Sequence, residues 1–167
     1  MALVAAADIV GGFVYSERQS PAVEETVAAQ QYAPLPADLK PHKQENLPPL
    51  DFPAYATTRP PDVIRAAYRF AAEHPEILSY VPCFCGCERS GHRGNHDCFV
   101  RARDVNGDVI EWDPHGIECA VCLDVAQRAS QLYASGKNVR DIRAAIEAEW
   151  TPRSSNHTHT PPPPSSN

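Results

Sequence analysis

Pro82-Cys83-Phe84-Cys85-Gly86-Cys87 carries three thiols at alternate positions, with a glycine before the last. In an extended chain alternate residues share a side, so Cys83, Cys85 and Cys87 would present a row of sulfurs. Gly86 permits a tight turn in which backbone N–H groups approach sulfur. The other thiols, Cys98, Cys119 and Cys122, follow further along the chain. So dense a set of soft ligands suits a transition-metal site, or its oxidised counterpart, a set of disulfides.

The surroundings assign each later cysteine to an element. Cys98–Asp113 reads as a β-hairpin turning at Asn106-Gly107, with Val109–Asp113 as the return strand. Period two puts Cys98 on the same face as Val100 and Ala102, the face expected to be buried. Gly116–Ser135 reads as a helix with Cys119, Cys122, Leu123, Ala126, Ser130 and Tyr133 on one side and Gly136 as its cap. The spacing of Cys119-Ala120-Val121-Cys122 puts both thiols on one helical face, in a first turn whose free N–H groups favour thiolate.

Two more helices frame this unit. Arg59–His74 is opened by Pro60 and Pro61, carries Asp62 in its first turn and ends at Pro75. Its apolar stripe is Ile64, Ala67, Tyr68 and Ala71, widened by Val63 and Phe70. Asn138 caps Val139–Trp150, which turns Val139, Ile142, Ala145 and Ile146 inward.

Proline placement sets the boundaries. The chain has 17 prolines in 167 residues, and between Asp62 and Trp150 only Pro75, Pro82 and Pro114 occur. Residues 60–150 are therefore expected to form the cysteine-rich domain, with 16–59 a proline-rich linker and 151–167 a disordered proline-rich tail. Leu50, Phe52 and Tyr55 are apolar enough to lie along the domain surface. Residues 1–15, MALVAAADIVGGFVY, read as the remnant of a signal or anchor, or as a weakly helical start. Ser20–Gln31 could make one short helix. A domain this small often needs a metal or disulfides to supplement a thin core.

Composition excludes several function classes. The net charge is −6, and within residues 62–150 acids outnumber bases, so no basic face is expected for nucleic acid. No apolar run is long enough to cross a membrane as a helix. No GxGxxG, P-loop, HExxH or GxSxG motif occurs, and no CxxC is followed by the histidine of a c-type haem site. No catalytic residue is singled out. The aspartates Asp97 and Asp113 read as turn or capping groups.

The order CxCxC knuckle, hairpin, CxxC helix is the layout of a treble-clef zinc site, in a mostly helical α+β domain. The candidate ligands are Cys83, Cys85, Cys87, Cys98, Cys119 and Cys122. Tetrahedral zinc needs four of them. A CxC pair is tighter than the usual zinc knuckle and suits clustered thiolates, including Cu(I), which accepts two or three soft ligands. With His92, His96 or His115 nearby, the set could hold two ions. His115 in Trp112-Asp113-Pro114-His115-Gly116 is the favoured histidine, because strand end and helix start converge there. His92 and His96 lie in a glycine-flanked loop, and His157 and His159 in the tail. Three disulfides are the rival reading, although alternating cysteines cannot pair with one another without strain. A thiol–disulfide function for Cys119 and Cys122 is a further alternative, without the βαβ pattern that usually accompanies it.

At these residues the chain resembles a bacterial family named for a PCYCGC motif, whose members are often described as lipoproteins of unknown function. The resemblance rests on Pro82–Cys87, Gly91-His92 with Asn95, Asp97-Cys98-Phe99, Trp112–Gly116, Cys119–Leu123, and Gly136-Lys137 followed by Ile142-Arg143. Phe84 stands where the motif has tyrosine, a change expected to affect packing alone. No cysteine precedes Cys83, so the acceptor of a lipid anchor is not among these residues. The resemblance implies an extracytoplasmic, cysteine-rich domain after a flexible linker, and supplies no reaction.

These observations lead to an expected extracytoplasmic protein that binds copper or zinc through thiolates for storage, delivery or sensing. The alternatives are a disulfide-stapled interaction module of the cell envelope and a redox protein. A metal ion is the expected partner, with an envelope protein a second candidate. Membrane association is expected only through an anchor at or before the N-terminus.

Overall fold

The structure, a computed structural model, describes residues 39–164. The apolar start at 1–15 and the short helix expected at Ser20–Gln31 lie outside the described residues. The first helix, α1 (Pro61–Glu73), is opened by proline with Asp62 in its first turn, and buries Ile64, Ala67, Tyr68, Phe70, Ala71 and Ala72. It packs across α4 (Ala120–Ala134), which buries Cys122, Leu123, Val125, Ala126, Ala129 and Leu132. Between them in sequence lie the one-turn helix α2 (Pro75–Leu78), the strands β1 (Val100–Arg103) and β2 (Val109–Trp112), and the short α3 (His115–Glu118). Helix α5 (Val139–Trp150) packs on α4 through Ile142 and Ile146. The mixed helical and two-stranded antiparallel architecture agrees with the sequence reading.

Local chemistry accounts for the ends of these elements. Asn138 accepts N–H bonds from Arg140 and Asp141, each at 3.0 Å, and so caps α5 as expected. Gly136 takes the left-handed conformation at φ +82°, and Lys137 N–H closes onto the Leu132 carbonyl at 3.1 Å.

Two elements differ from the sequence reading. The helix expected over Gly116–Ser135 is broken: α3 ends at Glu118, and Cys119 is extended at φ −107°, ψ 100°. The Cys119 sulfur accepts the Cys122 N–H at 3.4 Å and so caps α4. The hairpin also turns differently. Asn106 does not take a positive φ, so the two-residue Asn-Gly turn is not formed. A longer loop, residues 104–108, is organised by Asp104, whose carboxylate accepts from the N–H groups of Asn106 and Asp108 at 2.9 Å each.

The linker contributes to the domain. Gln44 completes the edge of β2 as a strand would, donating Nε2 to the Val109 carbonyl at 3.0 Å and accepting its N–H at 2.7 Å. Trp112 Nε1 donates to the Pro48 carbonyl at 3.0 Å, and Leu47, Leu50 and Phe52 pack against the core. Tyr55 stays exposed, with its hydroxyl donating to Glu118.

A single apolar cluster runs through the fold and includes all six cysteines, four at its centre and Cys85 and Cys119 at its edge. Tyr68 meets Phe99 and Trp112 edge-on at 5.1 and 5.3 Å, and its hydroxyl donates to the Asp113 carbonyl at 2.6 Å. Full burial of a side chain such as Ile64, Leu123 or Ile146 contributes about 1.5–3 kcal/mol. Gly116 is the tightest backbone position beside the cysteines. A Cβ there would lie 2.6 Å from the Phe99 ring and 2.8 Å from the Cys98 carbonyl. Gly116→Ala is accordingly expected to destabilise the protein by about 1–3 kcal/mol in denaturant unfolding. Unchanged stability would contradict this packing.

Candidate metal centre

Four separate elements supply the sulfurs. Cys83 and Cys85 lie in the irregular stretch after α2, and Cys87 opens a 3-10 turn, Cys87–Ser90, just after Gly86 at φ +78°. Cys98 closes a second 3-10 turn, Asn95–Cys98. Cys119 and Cys122 sit at the cap and in the first turn of α4. A hydrogen bond from Asn95 Nδ2 to the Cys122 carbonyl, at 3.2 Å, ties the second turn to that helix.

All six thiols are free and form one continuous cluster. The Cys83 sulfur lies 3.4 Å from that of Cys85, 3.4 Å from Cys122 and 3.5 Å from Cys98. Cys122 lies 3.0 Å from Cys119, 3.4 Å from Cys98 and 3.5 Å from Cys85, and Cys87 lies 3.7 Å from Cys98. None of these approaches the covalent separation of a disulfide, about 2.05 Å. All are shorter than the edge of a tetrahedron built on metal–sulfur bonds of about 2.3 Å, which is about 3.8 Å, so that a modest spreading of the sulfurs would admit an ion. Cys83, Cys85 and Cys87 lie within 4.8 Å of one another, gathered by the turn at Gly86 instead of set in the row expected of an extended run.

Two imidazoles border the cluster. His115 Nε2 lies 3.4 Å from the Cys85 sulfur, and His92 Nδ1 lies 3.3 Å from the Cys98 sulfur. Their rings meet edge-to-face at 5.0 Å. His115 is where the sequence reading put it. His92 reads as one polar residue of a glycine-rich loop, yet it is buried against Cys98; only its distance of six residues from that cysteine hinted at this. His96 turns away from the sulfurs, toward Arg103 and Asp97.

The electrostatics are those of thiols sharing protons. The hydrogen bond to Cys119, followed by Cys85, raises His115 to about 10. Cys85 is held well below the usual thiol range by hydrogen bonds from Cys119, Cys122 and Cys83. Cys122, the donor in its bonds to Cys119 and Cys98, is pushed up, and burial pushes Cys98 up as well. His92 is lowered by burial. Cys85 is thus biased toward thiolate beside Cys122, which keeps its proton, and a soft cation can displace such retained protons.

A second layer of polar groups holds the ligand-bearing turns. Asp113 is buried; it accepts the His115 N–H at 2.9 Å and Arg101 Nη2 at 2.9 Å, and lies 3.8 Å from His92 Nε2. Asp97 accepts from the N–H and Nε of Arg93, each at 2.9 Å. Such partners fix ring orientation and loop geometry around a site.

A family model described as a protein of unknown function with PCYCGC motif matches residues 13–163. The chain belongs to the PCYCGC family. No curated protein and no solved structure matches it. Among the described residues no helix is long and apolar enough to cross a membrane.

The PCYCGC match reaches past α5 into the segment read from its composition as a disordered tail. In the structure this segment is a strap along the motif. Thr158 N–H donates to the Cys83 carbonyl at 2.9 Å, and Thr158 Oγ1 accepts the Cys83 N–H at 2.8 Å. Ser154 Oγ donates to the Phe84 carbonyl at 3.0 Å, and Thr160 Oγ1 donates to the Arg93 carbonyl at 2.7 Å. His157 packs on Phe84, while His159 pairs with Glu88 at 2.8 Å, away from the sulfurs. The Thr-His-Thr alternation, which buries Thr158 and Thr160 and leaves His159 out, was the signal for an ordered segment within a proline-rich tail. Thr158→Val removes the Oγ1 acceptor of the buried Cys83 N–H, at a cost of about 1–3 kcal/mol. Hydrogen exchange at the Cys83 amide is expected to accelerate about ten- to hundredfold in this variant. An unchanged rate would show that the strap does not hold the motif.

Proposed function

We propose that this PCYCGC domain binds a soft transition-metal ion, copper or zinc, through its cysteine thiolates outside the cytosol, for storage, delivery or sensing. The observation that carries the reading is the sulfur cluster itself. Six free thiols from four elements converge at separations suited to a shared metal, with His115 and His92 at their border. The knuckle, hairpin and CxxC helix occur in the order of a treble-clef site, which supports zinc. The surplus of sulfur over four supports Cu(I), whose low coordination number and softness match clustered thiolates. The extracytoplasmic setting rests on the resemblance to lipoprotein sequences and on the linker's composition.

The disulfide-stapled envelope module gains less support from the geometry. Cys83 approaches Cys85, Cys98 and Cys122 at 3.4–3.5 Å, so no unique partner is favoured for it. The redox reading has one observation in its favour. Cys119 and Cys122 form the closest pair, at 3.0 Å, at the start of a helix.

Metal loading should stabilise the fold, because the ligands are assembled only in the native state. Anaerobic protein titrated with Zn(II) or Cu(I) to about 1,000 times the dissociation constant should gain about 4 kcal/mol in unfolding free energy. A chelator should reverse the gain, and Cys85→Ser or Cys119→Ser should diminish it. A purified mass equal to the metal-free chain less six hydrogens, with no metal taken up after reduction, would overturn the proposal.

A further inference from the structure

We infer that the cluster is built for two metal ions, in two adjoining subsites. This rests on the metal-binding reading above and extends it to the number and placement of the ions.

The donors divide by position. Cys85, Cys119, Cys122 and His115 lie within 4.8 Å of one another and form a complete four-ligand set of three sulfurs and one nitrogen. They come from the middle of the knuckle, the start of α3 and the start of α4. On the other side, Cys87 lies 3.7 Å from Cys98, and Cys98 lies 3.3 Å from His92. Cys87, His92 and Cys98 lie within 4.8 Å of one another and of His115, and Cys83, 3.5 Å from Cys98 and within 4.8 Å of Cys87, is the further sulfur donor on this side when His115 serves the first set. The Cys83 sulfur is also 3.4 Å from Cys85 and from Cys122, and Cys98 is 3.4 Å from Cys122, so the two sets adjoin through these sulfurs.

A single ion leaves part of this arrangement without a purpose. A tetrahedral ion takes four donors, so one in the first set leaves the buried Cys83, Cys87 and Cys98 sulfurs outside its shell. An ion among Cys83, Cys98 and Cys122, which are fully buried, strands Cys85, Cys119 and His115. Six sulfurs and two imidazoles are twice the four donors of one tetrahedral ion, and two ions use them all. The subsites also differ in access. Cys85 and Cys119 are half-buried, whereas Cys83, Cys87, Cys98 and His92 are enclosed. The first subsite therefore faces solvent and exchanges its ion, while the second retains it.

The test uses Cd(II), a tetrahedral thiophilic probe, on the reduced full chain. Native mass spectrometry should count two ions, and 113Cd NMR should show two resonances of sulfur-rich coordination. Cys119→Ser should remove one resonance and Cys87→Ser the other, each leaving one ion bound. A chelator should strip the Cys119-side ion at least tenfold faster than its neighbour. One ion per wild-type chain, or any count other than two, overturns the two-ion proposal while leaving the metal-binding reading in place. Equal loss of both ions in a variant whose circular dichroism matches the wild type also overturns it. No Cd(II), Zn(II) or Cu(I) bound at all overturns both. The wild-type count decides the matter even if a variant does not fold.

Discussion

The sulfur of Cys122 touches those of Cys83, Cys85, Cys98 and Cys119 at 3.0–3.5 Å, and these contacts bind together the elements that meet at the site. Helix α4 is positioned at its N-terminus by sulfur, with Cys119 capping it and Cys122 one turn in. The same helix carries the apolar face that receives α1 and α5. Core and cluster are thus one construction, and a displacement of α4 would disturb both. The helix N-terminus adds a favourable potential for negative sulfur, which no other end of this fold supplies to as many thiols.

Around that junction the chain uses small polar devices instead of extended secondary structure. Asp113 fixes His115 and Arg101, Asp97 fixes Arg93, and Thr158 pins Cys83 from outside. Gly86 and Gly91, both left-handed, allow the chain to leave and re-enter the site within a single 3-10 turn. The two-stranded sheet is too small to be stable alone; its edge is completed by Gln44 and its face by Tyr68 and Trp112.

Much of this was legible in the residues. The helices α1 and α5 were evident because proline, asparagine and apolar spacing all agree at those positions. The convergence of the six thiols with His115 followed from the order of knuckle, hairpin and CxxC. The break at Cys119 was not legible, since its neighbours all suit a helix and only the tertiary position of its sulfur selects the extended cap. The hairpin loop was misread because Asn106-Gly107 is a strong local signal, while the Asp104 carboxylate offers competing bonds to Asn106 and Asp108. The strap was hidden by composition. Its prolines mask a short alternating segment whose hydrogen-bond partners lie some seventy residues earlier. His92 was undervalued because a glycine-rich loop gives no local reason for burial.

The central claim is that these sulfurs share metal and do not cross-link one another. X-ray absorption at the metal edge, on protein purified without oxygen and loaded with Zn(II) or Cu(I), tests it most directly. The account predicts a first shell dominated by sulfur, near 2.3 Å for zinc, with a minor nitrogen contribution from imidazole. A first shell of oxygen and nitrogen alone would contradict it.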